Sequence, residues 1–292
     1  MLDQEIRIGT RGSALALWQA NYIKQALVHA FPQLSVTIHV IQTQGDKDGQ
    51  CSIADIGGKG VFVKDIEQAL VDNTIDIAVH SFKDITSQPH SELDYAGFCL
   101  QERVTDAIIL FDQPSNALES ESLVLATGSM RRQALCKEYF SKVQCVPIRG
   151  NIDTRIQTAK DRGLDGLILS TAGLQRLGLD DYITHEPDPM QFVPAPGQGL
   201  LALQVRAQDT PALDCVNAIS NAIINDLGHL YYDLLEGIAF NCGIPFGAYI
   251  DKDILHVFLE DTTGVSHTFS VENIAENMPY AIQKIKEIQD AE

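Results

Sequence analysis

Positive charge and tryptophan are both scarce in this chain. Its 292 residues hold 21 Lys and Arg against 39 Asp and Glu, a formal charge of −18, and one Trp. A net-negative body repels nucleic acid and anionic membrane surfaces, so neither is expected as the main partner. No apolar run reaches the roughly 18 to 20 residues that a membrane-spanning helix needs. The opening MLDQEIRIGT lacks a basic stretch followed by an apolar one, and a cytoplasmic location is the expectation. The six cysteines (Cys51, Cys99, Cys136, Cys145, Cys215, Cys242) form no C-x-x-C pair, and the eight histidines show no ligand spacing. A metal centre and a disulfide framework are therefore not expected, and most cysteines read as buried free thiols. Cys242, in AFNCGIPFGAY, stands apart because Gly243 and Pro245 mark a loop around it.

The arginines that are present sit in particular places. Five of the ten lie at three points where an apolar strand pattern runs into a helical one. Arg11 lies in IRIGTRGSALALWQA, Arg131 and Arg132 in VLATGSMRRQAL, and Arg149 and Arg155 in CVPIRGNIDTRI. Each corner offers free backbone N–H groups at a helix start together with guanidinium forks, a combination suited to carboxylate or phosphate. One such corner is more often a helix cap than a ligand site, but three point to a ligand with several negative groups. The net charge is also uneven. Residues 207–292 hold three basic side chains against fourteen acidic ones, and every arginine precedes them. An anion site thus belongs to the first two-thirds of the chain.

With 45% hydrophobic residues the chain can fill packed cores. Strand and helix patterns alternate over the first 200 residues, which predicts α/β architecture with parallel sheets covered on both faces. The pattern restarts near residue 105, giving two such domains. Ligands of open α/β sheets bind beyond the carboxyl ends of the strands, so a cleft between the two domains is expected. After residue 218 the texture changes to helix, then turn-separated strands, then helix. The expected domains are 1–99 with 200–217, 100–199, and a small acidic α+β domain over 218–292.

Two further segments carry chemistry. HSFKD, from His80 to Asp84, ends a very apolar strand and sets an ammonium beside a carboxylate. It reads equally as a solvent-exposed charge pair, and His80 equally as a structural histidine. Arg176 in AGLQRLGL reads as a ligand contact or a solvated helix residue, and PAPGQGLLALQVR as a site segment or only a hinge. The glycine-rich stretch through GGKG reads as a lid or a connector.

Taken together, RIGTRGSALALWQA, GGKGVFVKDIEQAL, DIAVHSFKD, GSMRRQA, RGNIDTR, AGLQRLGL and PAPGQGLLALQVR resemble the hydroxymethylbilane synthase (porphobilinogen deaminase) family in order and spacing over residues 5–206. The resemblance implies two domains like those of periplasmic binding proteins around a cleft, and a third carrying a cysteine loop. It implies a transferase of porphyrin and heme biosynthesis that joins four porphobilinogen molecules head to tail with loss of ammonia. A dipyrromethane cofactor, thioether-linked to Cys242, would prime the growing polypyrrole. By the same resemblance Ser81, Lys83, Thr127, Ser129, Arg131 and Arg132 hold cofactor carboxylates. Arg11, Ser13, Arg149, Arg155 and Arg176 hold incoming substrate and growing product. Asp84, with Lys83 and Arg11, carries the catalysis, no metal is involved, and the protein is a monomer. Phe240 and Asn241 stand where the family has Gly-Gly, and Tyr231 and Tyr232 near its Glu-Arg. Gln44 and Asp55 stand where relatives carry Arg and Lys. A second reading is a paralogue that binds tetrapyrroles or other polycarboxylates without turnover.

Overall fold

A computed structural model describes residues 5–43, 63–240 and 244–290. The chain forms two compact units, Met1–Glu102 with Gly199–Asn241, and Arg103–Gln198 with Cys242–Glu292. In chain order the elements begin with β1 (Glu5–Thr10), α1 (Ala14–Ala30), β2 (Ser35–Val40), α2 (Lys64–Val71), β3 (Ile77–Ser81) and β4 (Leu93–Cys99). The second unit supplies β5 (Asp106–Leu110), β6 (Leu123–Ala126), α3 (Met130–Tyr139), β7 (Val143–Val146), α4 (Ile152–Asp161), β8 (Gly166–Ser170) and α5 (Thr171–Arg176). The chain then returns to the first unit for β9 (Leu201–Arg206), α6 (Thr210–Ile219) and α7 (Ala222–Gly237). It closes in the second with β10 (Phe246–Asp251), β11 (Ile254–Glu260), β12 (Ser266–Val271) and α8 (Ile274–Gln289).

In the first unit the sheet order is β2-β1-β3-β9-β4. Strands β1, β2 and β3 run parallel, whereas β9 is antiparallel to both β3 and β4. In the second unit the order is β5-β8-β6-β7, with β5 antiparallel to β8 and the remaining pairs parallel. Both sheets are therefore mixed, which corrects the expectation of parallel sheets. A parallel neighbour needs a crossover on the sheet's own face. Strands β5 and β9 are the first strands after the chain changes unit, so they arrive without one.

Periodicity explains what each helix buries. Helix α1 turns Ala20, Ile23 and Leu27 inward, positions three and four apart, against Ile6, Ile8, Ile77 and Val79. Burying one such aliphatic side chain contributes about 1.5–3 kcal/mol before entropy is counted. Helix α6 ends at Ile219, and Asn221, whose side-chain oxygen accepts from the Ile223 and Ile224 amides, starts α7 anew. Helix α7 lies so close to β4 that a Cβ on Gly228 would sit 2.2 Å from Cγ of Phe98. Helix α8 begins at Ile274 and carries Pro279 within it. The three strands β10-β11-β12 form an antiparallel meander, and Phe258 of β11 joins the core beside Phe192 and Leu135.

Candidate functional site

Parallel pairing of β1 and β3, with Ile8 opposite Ile77 and Gly9 opposite Ala78, brings their carboxyl ends to one edge of the first unit. Arg11 and Ser13 follow β1, and the Ser13 hydroxyl accepts from the Ala16 amide at 3.2 Å to cap α1. From β3 the chain passes through Ser81 into a tight turn at Phe82–Asp84. Wholly buried Phe82 anchors that turn, leaving Lys83 half-buried and Asp84 exposed. A small depression collects Arg11, Ser13, Gln19, His80, Ser81 and Asp84. Gln19 Nε2 donates to Ser81 Oγ at 2.8 Å, which orients the serine. Arg11, Ser13, Ser81 and Asp84 are thus brought together, with Lys83 in the same turn.

His80 is buried and donates from Nε2 to Gln204 Oε1 at 3.1 Å. The Gln204 amide donates in turn to Glu67 Oε1 at 2.8 Å. Burial pushes the His80 pKa down to about 4, so the ring is neutral at physiological pH. Its hydrogen bond to Gln204 and its burial favour the structural reading over the catalytic one.

In the second unit Thr127 and Ser129 follow β6, and Ser129 caps α3 by accepting from the Arg132 amide at 3.4 Å. Thr127 Oγ1 accepts from the Ser129 amide at 3.2 Å. Arg131 and Arg132 are buried and meet on Asp106, the first residue of β5. Arg131 Nη1 donates to Asp106 Oδ2 and to the Val193 carbonyl, each at 2.7 Å. Arg132 donates to Asp106 Oδ1 from Nε at 2.9 Å and Nη2 at 2.7 Å, and to the Ile168 carbonyl at 3.0 Å. Gln198, of the PAPGQG segment, adds a fourth bond to that carboxylate at 3.0 Å. Burial alone would raise the Asp106 pKa, but the guanidiniums of Arg131 and Arg132 hold it far below the usual range.

Asp106 escaped the reading of the chain as a site residue. A signal was available: it is the lone charge in DAIIL, a strand buried at every position, and a buried charge requires a partner. Arg149 is exposed beside Gly150, whose φ of +103° suits glycine, and Arg155 Nε donates to the Gly150 carbonyl at 2.6 Å. Arg176, at the end of α5, is buried, so it is not a solvated helix residue. Thr127, Ser129, Arg131, Arg132, Arg149, Arg155 and Arg176 all belong to the second unit. Cys242, Gln44, Asp55 and the GGKG stretch lie outside the described residues.

Elsewhere the cysteine reading holds among the described residues, where Cys99, Cys136, Cys145 and Cys215 are free thiols. A hydrogen bond to Cys145, together with burial, pushes the Cys136 thiol pKa up. Tyr231 packs edge-on against Phe82 at 5.9 Å and Tyr232 against Tyr95 at 5.3 Å. The Ser87 hydroxyl donates to the Phe240 carbonyl at 3.2 Å. Among the described residues no helix is long and apolar enough to cross a membrane.

The two sheets define an α/β protein in which arginines follow the C-terminal ends of strands in both units. Residues 6–214 match the family model described as "Porphobilinogen deaminase, dipyromethane cofactor binding domain". The chain belongs to the porphobilinogen deaminase family. It is 39% identical to porphobilinogen deaminase of Lachnospira eligens, over 85% of each chain. It is 36% identical to that of Clostridioides difficile, over 86% of this chain and 85% of the relative. With the protein of Syntrophomonas wolfei it shares 36%, over 83% and 79%. Among solved structures, the periplasmic VFT2 domain of Bordetella pertussis BvgS is similar at 14% identity and a TM-score of 0.45, over 78% of this chain and 92% of that one.

Proposed function

We propose that this chain is a hydroxymethylbilane synthase, a transferase that condenses four porphobilinogen molecules head to tail and releases ammonia at each addition. One observation carries the assignment of roles: a carboxylate, Asp84, shares a depression with Arg11 and Ser81 in a member of the porphobilinogen deaminase family. Each porphobilinogen brings an acetate and a propionate, so the growing chain accumulates planar carboxylates that guanidinium forks match.

The residues present fit a dipyrromethane. Its carboxylates require strong donors. Arg131 Nε and Nη2 carry N–H groups with no partner among the described residues, beside the Thr127 and Ser129 hydroxyls. Ser81, Lys83, Thr127, Ser129, Arg131 and Arg132 hold those carboxylates in this reading, and Cys242 forms the thioether. When bound, the group supplies a nucleophilic α-carbon on its terminal pyrrole.

Arg11, Ser13, Arg149, Arg155 and Arg176 bind the carboxylates of incoming substrate and lengthening product. Loss of ammonia from porphobilinogen breaks its C–N bond and leaves an azafulvenium-like cation. The Asp84 carboxylate, set against the pyrrole N–H, stabilises that developing charge. Coupling would replace the broken C–N bond with a C–C bond and release one proton from the nucleophilic α-carbon. In this reading Asp84 also assists that transfer. A cytoplasmic monomer accompanies this reading, and size-exclusion chromatography with light scattering tests the monomer.

Purified protein incubated with porphobilinogen should give a product that oxidises to uroporphyrin. Its intact mass should exceed the sequence mass by two pyrrole units. Correctly folded protein with neither property would leave the reading untenable and favour a binding paralogue.

A further inference from the structure

We infer that Asp106 is a positioning residue for the carboxylate-binding site on α3, fixing the inner edges of Arg131 and Arg132 so that their remaining N–H groups face an acidic ligand. The inference rests on the proposed role of the two arginines. Asp106 itself is wholly enclosed, and its oxygens are filled by donors: Oδ2 by Arg131, Oδ1 by Arg132 and Gln198. A carboxylate enclosed behind these donors, with none of its side chain exposed, does not itself meet substrate. Its effect on any ligand must act through the guanidiniums.

Those guanidiniums are not used up. Arg131 spends both Nη1 protons on Asp106 and Val193, and its Nε and Nη2 make no hydrogen bond among the described residues. Arg132 keeps one proton on each terminal nitrogen after bonding Asp106 and Ile168. The trio retains one net positive charge, so attraction for an anion survives. Two free guanidiniums side by side would repel and rotate apart, and the shared carboxylate prevents this. Fold stability alone does not account for the arrangement, because buried ion clusters are often no better than well-packed apolar side chains. Nor do the carbonyls of Val193 and Ile168 suffice, since each holds a single N–H of its arginine.

Asp106→Asn tests this most directly. It keeps the shape, removes the charge, and turns an amide N–H toward an arginine. Asp106→Glu keeps the charge and displaces it. For each variant, thermal unfolding, intact mass and steady-state kinetics on porphobilinogen are measured on protein as purified. The expected result for Asp106→Asn is folded protein with reduced cofactor occupancy and a kcat/KM lowered roughly 10- to 100-fold. Asp106→Glu should recover part of both, and it carries the test if the Asn variant does not fold. A lower melting temperature with full occupancy and unchanged kcat and KM in the folded fraction would overturn the inference, leaving Asp106 structural. Arg131→Ala separates the two levels. If it loses occupancy while Asp106→Asn does not, only Asp106's role falls. Full occupancy and rate in Arg131→Ala would remove the reading beneath it.

Discussion

Nε2 of His80 and the side-chain oxygen of Gln204 lie 3.1 Å apart inside the first unit, joining a strand end near the candidate acid to the returning strand β9. Residues 124 apart in sequence share this bond. It fixes the imidazole as a donor toward Gln204, and burial keeps the ring uncharged. Asp84 and Arg11 are the charged groups whose fields reach it, with opposite effects.

A pH dependence of stability follows. The folded pKa of about 4 lies below the ordinary 6.5. Between those values the unfolded chain binds a proton that the folded chain does not, so stability falls as pH falls through that window. The slope from this group is about 1.4 kcal/mol per pH unit. Urea unfolding at several pH values should show that His80→Asn lacks this component. Parallel curves for variant and wild type would remove the assignment.

Asp84→Asn should retain the fold and the cofactor while losing turnover by roughly 100- to 1000-fold, the effect typical of one misplaced electrostatic stabiliser. Circular dichroism, intact mass and product formation separate the three properties. A near-normal rate would show that the carboxylate is not the group that meets the developing cation.

Cys242→Ser should abolish the stable adduct of two pyrrole units in the intact mass, because an ether to serine is not formed under conditions that make the thioether. The same adduct on the variant would assign attachment to another cysteine.

The end of α7 makes a prediction about stability alone. Ala239 adopts φ = +49°, with its amide bonded to the Glu236 carbonyl and the Phe240 amide to Leu235. Glycine is the preferred residue at such a helix end, since a Cβ is strained there. Ala239→Gly should stabilise by about 0.5–1 kcal/mol in chemical denaturation, the strain relief being offset in part by the entropy of an unfolded glycine. An unchanged or lower midpoint would count against the strain.

Much of the candidate site's placement was legible because its residues follow strands directly. Arg11 after EIRIGT, Asp84 after IDIAVHSF, and Arg131 after VLATGS all sit where an alternating or continuous apolar run stops, and the stops are local. Pro279 resembles a first-turn proline, but burial of Ile274 extends helix α8 back beyond it. The antiparallel direction of β5 and β9 was not legible in the chain. Alternation of apolar runs reports that strands exist, and strand direction depends on how the chain re-enters each sheet.

The sequence by itself determined the α/β class, the concentration of arginine at strand ends in an acidic chain, and membership of a family through a series of ordered motifs. These are properties of periodicity and local chemistry. Tertiary structure alone decided that Arg131 and Arg132 share Asp106, 25 and 26 residues away, that Gln198 closes the same carboxylate from 92 residues away, and that His80 is neutral. Charge pairing and pKa depend on which strands become neighbours and on how much water they exclude, and no spacing along the chain encodes either directly.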